Sequence, residues 1–125
     1  MYQSLAIFET AGKMAQHAGA RQAVVARNVA NADTPGFQAM HMARFSESYQ
    51  AAPQMRATRP LHALTAPSGA STATAQVAQT EMSPNGNSVS VEDEMLSAVD
   101  ASREHSRALA IYKHTMTVLR TTIRR

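Results

Sequence analysis

The chain has no cysteine among its 125 residues. That excludes disulfides, thiol nucleophiles and cysteine-ligated zinc, and leaves the redox compartment open. Large apolar side chains are scarce too. Hydrophobic residues make up 44% of the sequence, yet 24 of them are alanine and only 20 are Leu, Ile, Val or Phe. Burial stabilises in proportion to apolar area, about 25 cal/mol per Å², and a methyl side chain supplies little of it. Small domains bury a low fraction of their surface in any case. A monomer with so thin a core is expected to be marginal, and copies sharing one core would do better, which favours an assembly subunit over a self-contained enzyme. No stretch approaches the roughly 20 apolar residues that span a bilayer. Met1 to Glu9 has neither a basic n-region nor a long apolar run, so no cleavable secretory signal is expected. Gly-x-Ser-x-Gly, a phosphate-cradling glycine loop and His-Glu-x-x-His are all absent. No catalytic residue, cofactor or small-molecule substrate is expected.

What is present is organised around Asn28–Phe37, read as Asn-Val-Ala-Asn-Ala-Asp-Thr-Pro-Gly-Phe. Upstream the sequence is alanine-rich and proline-free, so one helix can run from residue 3 to about 32. Pro35 pushes Thr34 out of the helical region. Pro35-Gly36 fits the middle of a type II turn, with glycine taking the positive φ. Asn31 is expected in the left-handed conformation that often ends a helix. The helix should stop here, and Phe37 should leave in a new direction.

Within the first helix Phe8, Gly12, Ala15, Gly19, Gln22, Ala26 and Val29 recur at 4-3 spacing, with Leu5, Ala11, Ala18 and Val25 on adjoining positions. This is a heptad-like seam of small knobs, which lets a neighbouring helix come close. At 1.5 Å per residue the helix is roughly 45 Å long, too long and too thinly apolar to pack inside a small globule. A second helix, 90–124, follows the turn signal Asn85-Gly86-Asn87. Ser90 is placed to cap it, with Asp93 three residues on. Met95, Ala98, Ser102, His105, Leu109, Tyr112, Met116, Leu119 and Ile123 then alternate at 3-4 spacing. Acidic residues crowd its first half and basic ones its second, which suits the helix macrodipole.

Between the helices, residues 33–89 hold the motif turn and then a long excursion rich in Ala, Ser, Thr, Pro and Gln. Its apolar residues have no period and bury too little to offset ordering entropy. It reads as partly extended, with room for a short β-hairpin. The fold class expected is therefore all-α: two long terminal helices packed antiparallel in coiled-coil fashion across one 125-residue domain. Five histidines raise a metal reading, with Met40-His41-Met42 as soft ligands. The five are far apart, and an exposed methionine-containing loop explains that triplet better than a metal site.

Asn28, Ala30, Asn31, Thr34, Pro35, Gly36 and Phe37 form Asn-x-Ala-Asn-x-x-Thr-Pro-Gly-aromatic. This resembles the N-terminal signature of bacterial flagellar rod, hook and related axial proteins. Asn85 to Met95 resembles the same family's Asp-Gly-Asn-x-Val-Asp-x-Glu-x-Glu-Met, with Asn85 and Ser90 standing where aspartates are usual. The likeness covers residues 1–45 and 85–125, and the short chain is most similar to the flagellar basal-body rod proteins of the proximal rod. It implies a non-enzymatic subunit that assembles with copies of itself and with other rod proteins. It also implies contact, through a small adaptor, with the inner-membrane-ring and export-gate end of the basal body. Export unfolded through the flagellar type III apparatus to a periplasmic rod is implied as well. The assembly seam expected comprises Leu5, Phe8, Ala15, Val25, Val29, Met95, Leu109, Tyr112, Met116, Leu119 and Ile123. The alternative is a basic helical module on nucleic acid or an anionic membrane, because the second helix has no acidic residue after Glu104. Dipole complementarity explains those cations as well, and nucleic acid is not the expected partner.

Overall fold

Alanine-rich sequence without internal proline makes two long helices in the computed structural model, which describes residues 2–50 and 74–123, with side chains over 6–49 and 74–123. Helix α1 spans Tyr2–Ala30 and helix α3 spans Val91–Ile123. Between them lie strand β1 (Met40–His41), a short helix α2 (Phe45–Gln50) and strand β2 (Gln76–Val77). The strands pair antiparallel, Met40 opposite Val77 and His41 opposite Gln76. The excursion thus holds a short antiparallel pair, as it had room for, though its two strands are far apart in sequence. The extended course expected of residues 51–73 lies outside the described residues. Among the described residues no helix is long and apolar enough to cross a membrane.

Four cross-contacts show that α1 and α3 run antiparallel, since partners fall in number on one helix as they rise on the other. The Phe8 and Tyr112 rings lie 4.3 Å apart between centroids. A His105 ring nitrogen is 3.3 Å from the Ala15 carbonyl. Arg21 pairs with Glu104 at 2.9 Å, and Asn28 reaches Glu94 at 2.8 Å. The shared core is made of small residues at seven-residue intervals: Ala11, Ala18 and Val25 on α1 against Ala101, Ala108 and Thr115 on α3. Repetition at seven keeps one stripe facing the partner over several turns.

Four of the ten expected seam residues with described side chains face away from the partner helix. Val25 is buried, and Phe8, Ala15, Tyr112, Met116 and Leu119 are half-buried. Val29, Met95, Leu109 and Ile123 are exposed, and beside the first three Asn28, Glu94 and Ala108 turn inward instead. Leu5 falls outside the described side chains. Consecutive residues are about 100° apart around a helix, so turning Asn28 and Glu94 toward each other necessarily turns Val29 and Met95 outward. Nor are Gly12 and Gly19 points of close approach, because a Cβ on either would meet nothing within 4 Å.

Candidate functional site

The two sequence motifs meet at the end of the helix pair where α1 stops and α3 begins. Helix α1 ends by tightening into successive turns, Asn31 N–H to Asn28 O at 3.0 Å and Ala32 N–H to Val29 O at 3.2 Å. Asn31 is not left-handed as expected, for no non-glycine residue among those described has a positive φ. Its side chain ends the helix instead: Nδ2 donates to the Arg27 carbonyl at 2.8 Å, and Oδ1 accepts from the Thr34 hydroxyl at 3.3 Å. The Pro35-Gly36 turn is as the sequence reads. Phe37 N–H closes on Thr34 O at 3.3 Å, and Gly36 has φ +72°. Ala30, Thr34, Pro35 and Gly36 are exposed and Phe37 is half-buried, so the turn is held by backbone geometry rather than by burial.

Asn28 is the buried centre of the first motif, with no exposed surface. Its Nδ2 donates to the Met40 carbonyl at 2.7 Å and to Glu94 Oε1 at 2.8 Å, while its Oδ1 accepts from Met40 N–H at 3.0 Å. Both amide hydrogens and the carbonyl are used, as a fully buried amide requires. One side chain therefore ties α1, β1 and the first turn of α3 together. Burial pushes the Glu94 carboxyl up from its usual value. The Asn28 hydrogen bond and nearby His41 work against that rise, and Asp93 adds to it.

Asn87 does the matching work from the second motif. Its Nδ2 faces the carbonyls of Asn31, Ala32 and Thr34 at 3.0, 2.7 and 2.8 Å, in the turns through which the chain leaves α1. A helix C-terminus leaves such groups without partners of its own. Two hydrogens serve three acceptors, so one contact is shared. Asn87 Oδ1 accepts from Val89 N–H at 2.7 Å, leading the chain toward α3. Backbone bonds complete the clasp: Gly36 N–H to Asn85 O at 3.1 Å and Ser88 N–H to Phe37 O at 3.1 Å. Ser88 Oγ accepts from Ala39 N–H at 2.8 Å. Gly86 has φ +79° and lies so close that a Cβ there would be 3.4 Å from Gly36 Cα. Ser90 caps α3 as expected, its Oγ accepting from Asp93 N–H at 3.4 Å.

Two further features were not read from the sequence. Arg21 and Glu104 form a pair with little exposure on either side. Nearby, His17 is buried with neither ring nitrogen hydrogen-bonded, and its ring meets Phe45 of α2 edge-on at 5.6 Å. Burial pushes His17 below its usual 6.5, with Arg21 acting in the same direction and Glu104 against it. A histidine and an arginine on an alanine helix carry no local sign of which way they face, and the signal lies only in the partner helix. Among the described residues no three His, Asp or Glu side chains gather as a metal group.

The geometry performs no evident chemistry. It uses asparagine amides and glycine turns to fix how a long helix ends and how the returning helix begins. Residues 8–38 match the family described as flagella basal body rod protein. The chain is also 31% identical, over 98% of its length and 96% of the relative's, to the flagellar basal body rod protein FlgB of Agrobacterium fabrum. The matched segment runs from Phe8 through the Pro35-Gly36 turn, and the full-length likeness takes in the Asn85–Met95 half of the clasp: the chain belongs to the flagellar basal body rod protein family.

Proposed function

We propose that this structural rod component builds the proximal rod by packing against other subunits through the surface that α3 turns away from α1. One observation carries the reading. Met95, Leu96 and Val99 are 61%, 69% and 48% exposed and adjoin one another on the first turns of α3. Contiguous exposed apolar surface of this kind marks an interaction site. Leu109, Ile111, Val118 and Ile123 extend uncovered apolar surface along the same helix, and Val29 adds to it from α1. The expected seam residues that do not face the partner helix are, in this reading, assembly contacts. The neighbours are copies of the chain and other rod proteins, with a small adaptor joining the rod to the inner-membrane ring and export gate. The place is the periplasmic rod, reached unfolded by type III export.

Replacing Leu96 and Val99 together by aspartate in a bacterium carrying this as its only copy tests the proposal. The helix pair should survive, because neither side chain faces α1, while rod assembly and swimming are lost. A variant that assembles and swims like the parent would sink it.

A further inference from the structure

Asn85 is exposed and is followed by Gly86, whose missing side chain gives the backbone nitrogen open access to the asparagine amide carbon. In the folded chain both reacting groups are engaged elsewhere. Gly86 N–H donates to Ser83 O at 2.8 Å, which keeps the proton on the nitrogen that would attack. Asn85 Oδ1 accepts from Asn87 N–H at 3.0 Å, an Asx turn that holds the side chain in one rotamer. The Asn85 main-chain carbonyl accepts from Gly36 N–H at 3.1 Å, so the residue also links the two glycine turns. We propose that Asn85 is a deamidation site held in check by the folded clasp, and that its two products have opposite effects on that clasp.

The chemistry balances without an oxidant or reductant. Gly86 N loses its proton to solvent base and attacks Asn85 Cγ. The new C–N bond closes a five-membered imide, and the side-chain nitrogen leaves as ammonia. Water then opens the ring at one of its two carbonyls, so the net change is one water consumed and one ammonia released. Opening at the side-chain carbonyl gives aspartate at 85. The main chain is unchanged, the carboxylate still accepts from Asn87 N–H, and the Gly36 link stands. Opening at the main-chain carbonyl gives isoaspartate, which routes the backbone through the former side chain and adds a carbon to it. The carbonyl that met Gly36 N–H is displaced, and so is Gly86, which packs against Gly36.

The full-length chain is incubated at mildly alkaline pH, folded at high concentration in trimethylamine oxide or unfolded in urea. Peptide mass spectrometry follows conversion at Asn85, with Asn87-Ser88 as an internal comparison. Conversion should be roughly 30-fold slower in the folded chain, equivalent to about 2 kcal/mol of protection. Asn87→Ala, which removes the bonds that close the clasp, should bring the rate under folding conditions toward the urea rate. Chromatographically separated isoaspartyl chain should lose the concentration-dependent helix signal, while Asn85→Asp should keep it. Equal rates folded and unfolded, no conversion in urea, or an isoaspartyl chain folding as well as Asn85→Asp would each overturn the proposal.

Discussion

Asn28→Asp changes one atom type at the centre of the clasp and should cost the fold about 4 kcal/mol at neutral pH. The wild-type amide donates to Met40 O at 2.7 Å and to Glu94 Oε1 at 2.8 Å, inside a site with no exposed surface. An aspartate keeps the bond from Met40 N–H but has no hydrogens to donate. Losing the neutral bond costs about 1 kcal/mol, and losing the bond to a carboxylate about 2. The substitution also sets a carboxylate against a carbonyl and against a second carboxylate, which adds a kilocalorie or more. The total is most of what a marginal domain has in hand, ~5 kcal/mol at the low end. Adding Glu94→Gln restores a donor opposite the introduced carboxylate and should recover about 2 kcal/mol. Lowering the pH should help the single variant in the same way, because the two carboxyls can then share a proton. Urea titrations followed by circular dichroism, at a concentration where helix is fully formed, give the four corners of the cycle. Were Asn28→Asp to unfold at the wild-type midpoint, or Glu94→Gln to bring no rescue, the side chain would not be the tie between α1, β1 and α3.

The remaining expectations use the same physics. Gly36→Val should abolish rod assembly and motility through strain at φ +72° rather than through a clash, since a Cβ there meets nothing within 4 Å. Gly36→Asn should be milder and His41→Ala near neutral in the same swimming assay. Because the seam is built of alanines, helix content of the purified chain should rise with concentration in a dilution series. A sharp unfolding transition independent of concentration would contradict a shared core. For His17 the folded value lies below the unfolded 6.5, so the unfolded chain takes up the proton first. Its contribution to stability is intact above 6.5 and is lost as the pH falls below that value. His17→Leu should therefore gain most over the parent in denaturant midpoint on the acid side of neutrality. A gain independent of pH would contradict the burial argument.

Much of this fold was legible because the deciding chemistry is local. Pro35-Gly36 names its own turn, Ser90 its own cap, and a long stretch without proline its own helix. The rotation of the helices was not legible. In α1 two adjoining stripes fit heptad spacing, and in α3 the sequence reading followed the apolar stripe through Met95 and Leu109 and passed over the one through Ala101 and Ala108. What selects the alanine stripe is an amide on α1 meeting a carboxylate on α3, 66 positions away, and no window along the chain contains both. Asn87 was read as a turn residue for the same reason, since the three carbonyls it serves belong to the other motif. Helix α2 went unread because one pair, Phe45 and Tyr49 with rings 5.6 Å apart, is too short a pattern to name a helix, and the His17 ring that Phe45 also meets is far away in sequence.

The clasp also has a kinetic consequence. Asn87 reaches back 53 to 56 positions and Glu94 reaches back 66, so the contacts that join the end of α1 to α3 wait for the last third of the chain to be made. Until then only local bonds hold the end of α1, such as Asn31 Nδ2 to Arg27 O and the Asn28 amide to Met40, and a lone helix with so thin an apolar stripe gains little by forming. Contacts of such long sequence separation form late, after the loop between them has closed. A growing chain of this design has nothing to fold around until its C-terminal part appears. A chain truncated before residue 85 should remain an open coil that a narrow conduit could thread.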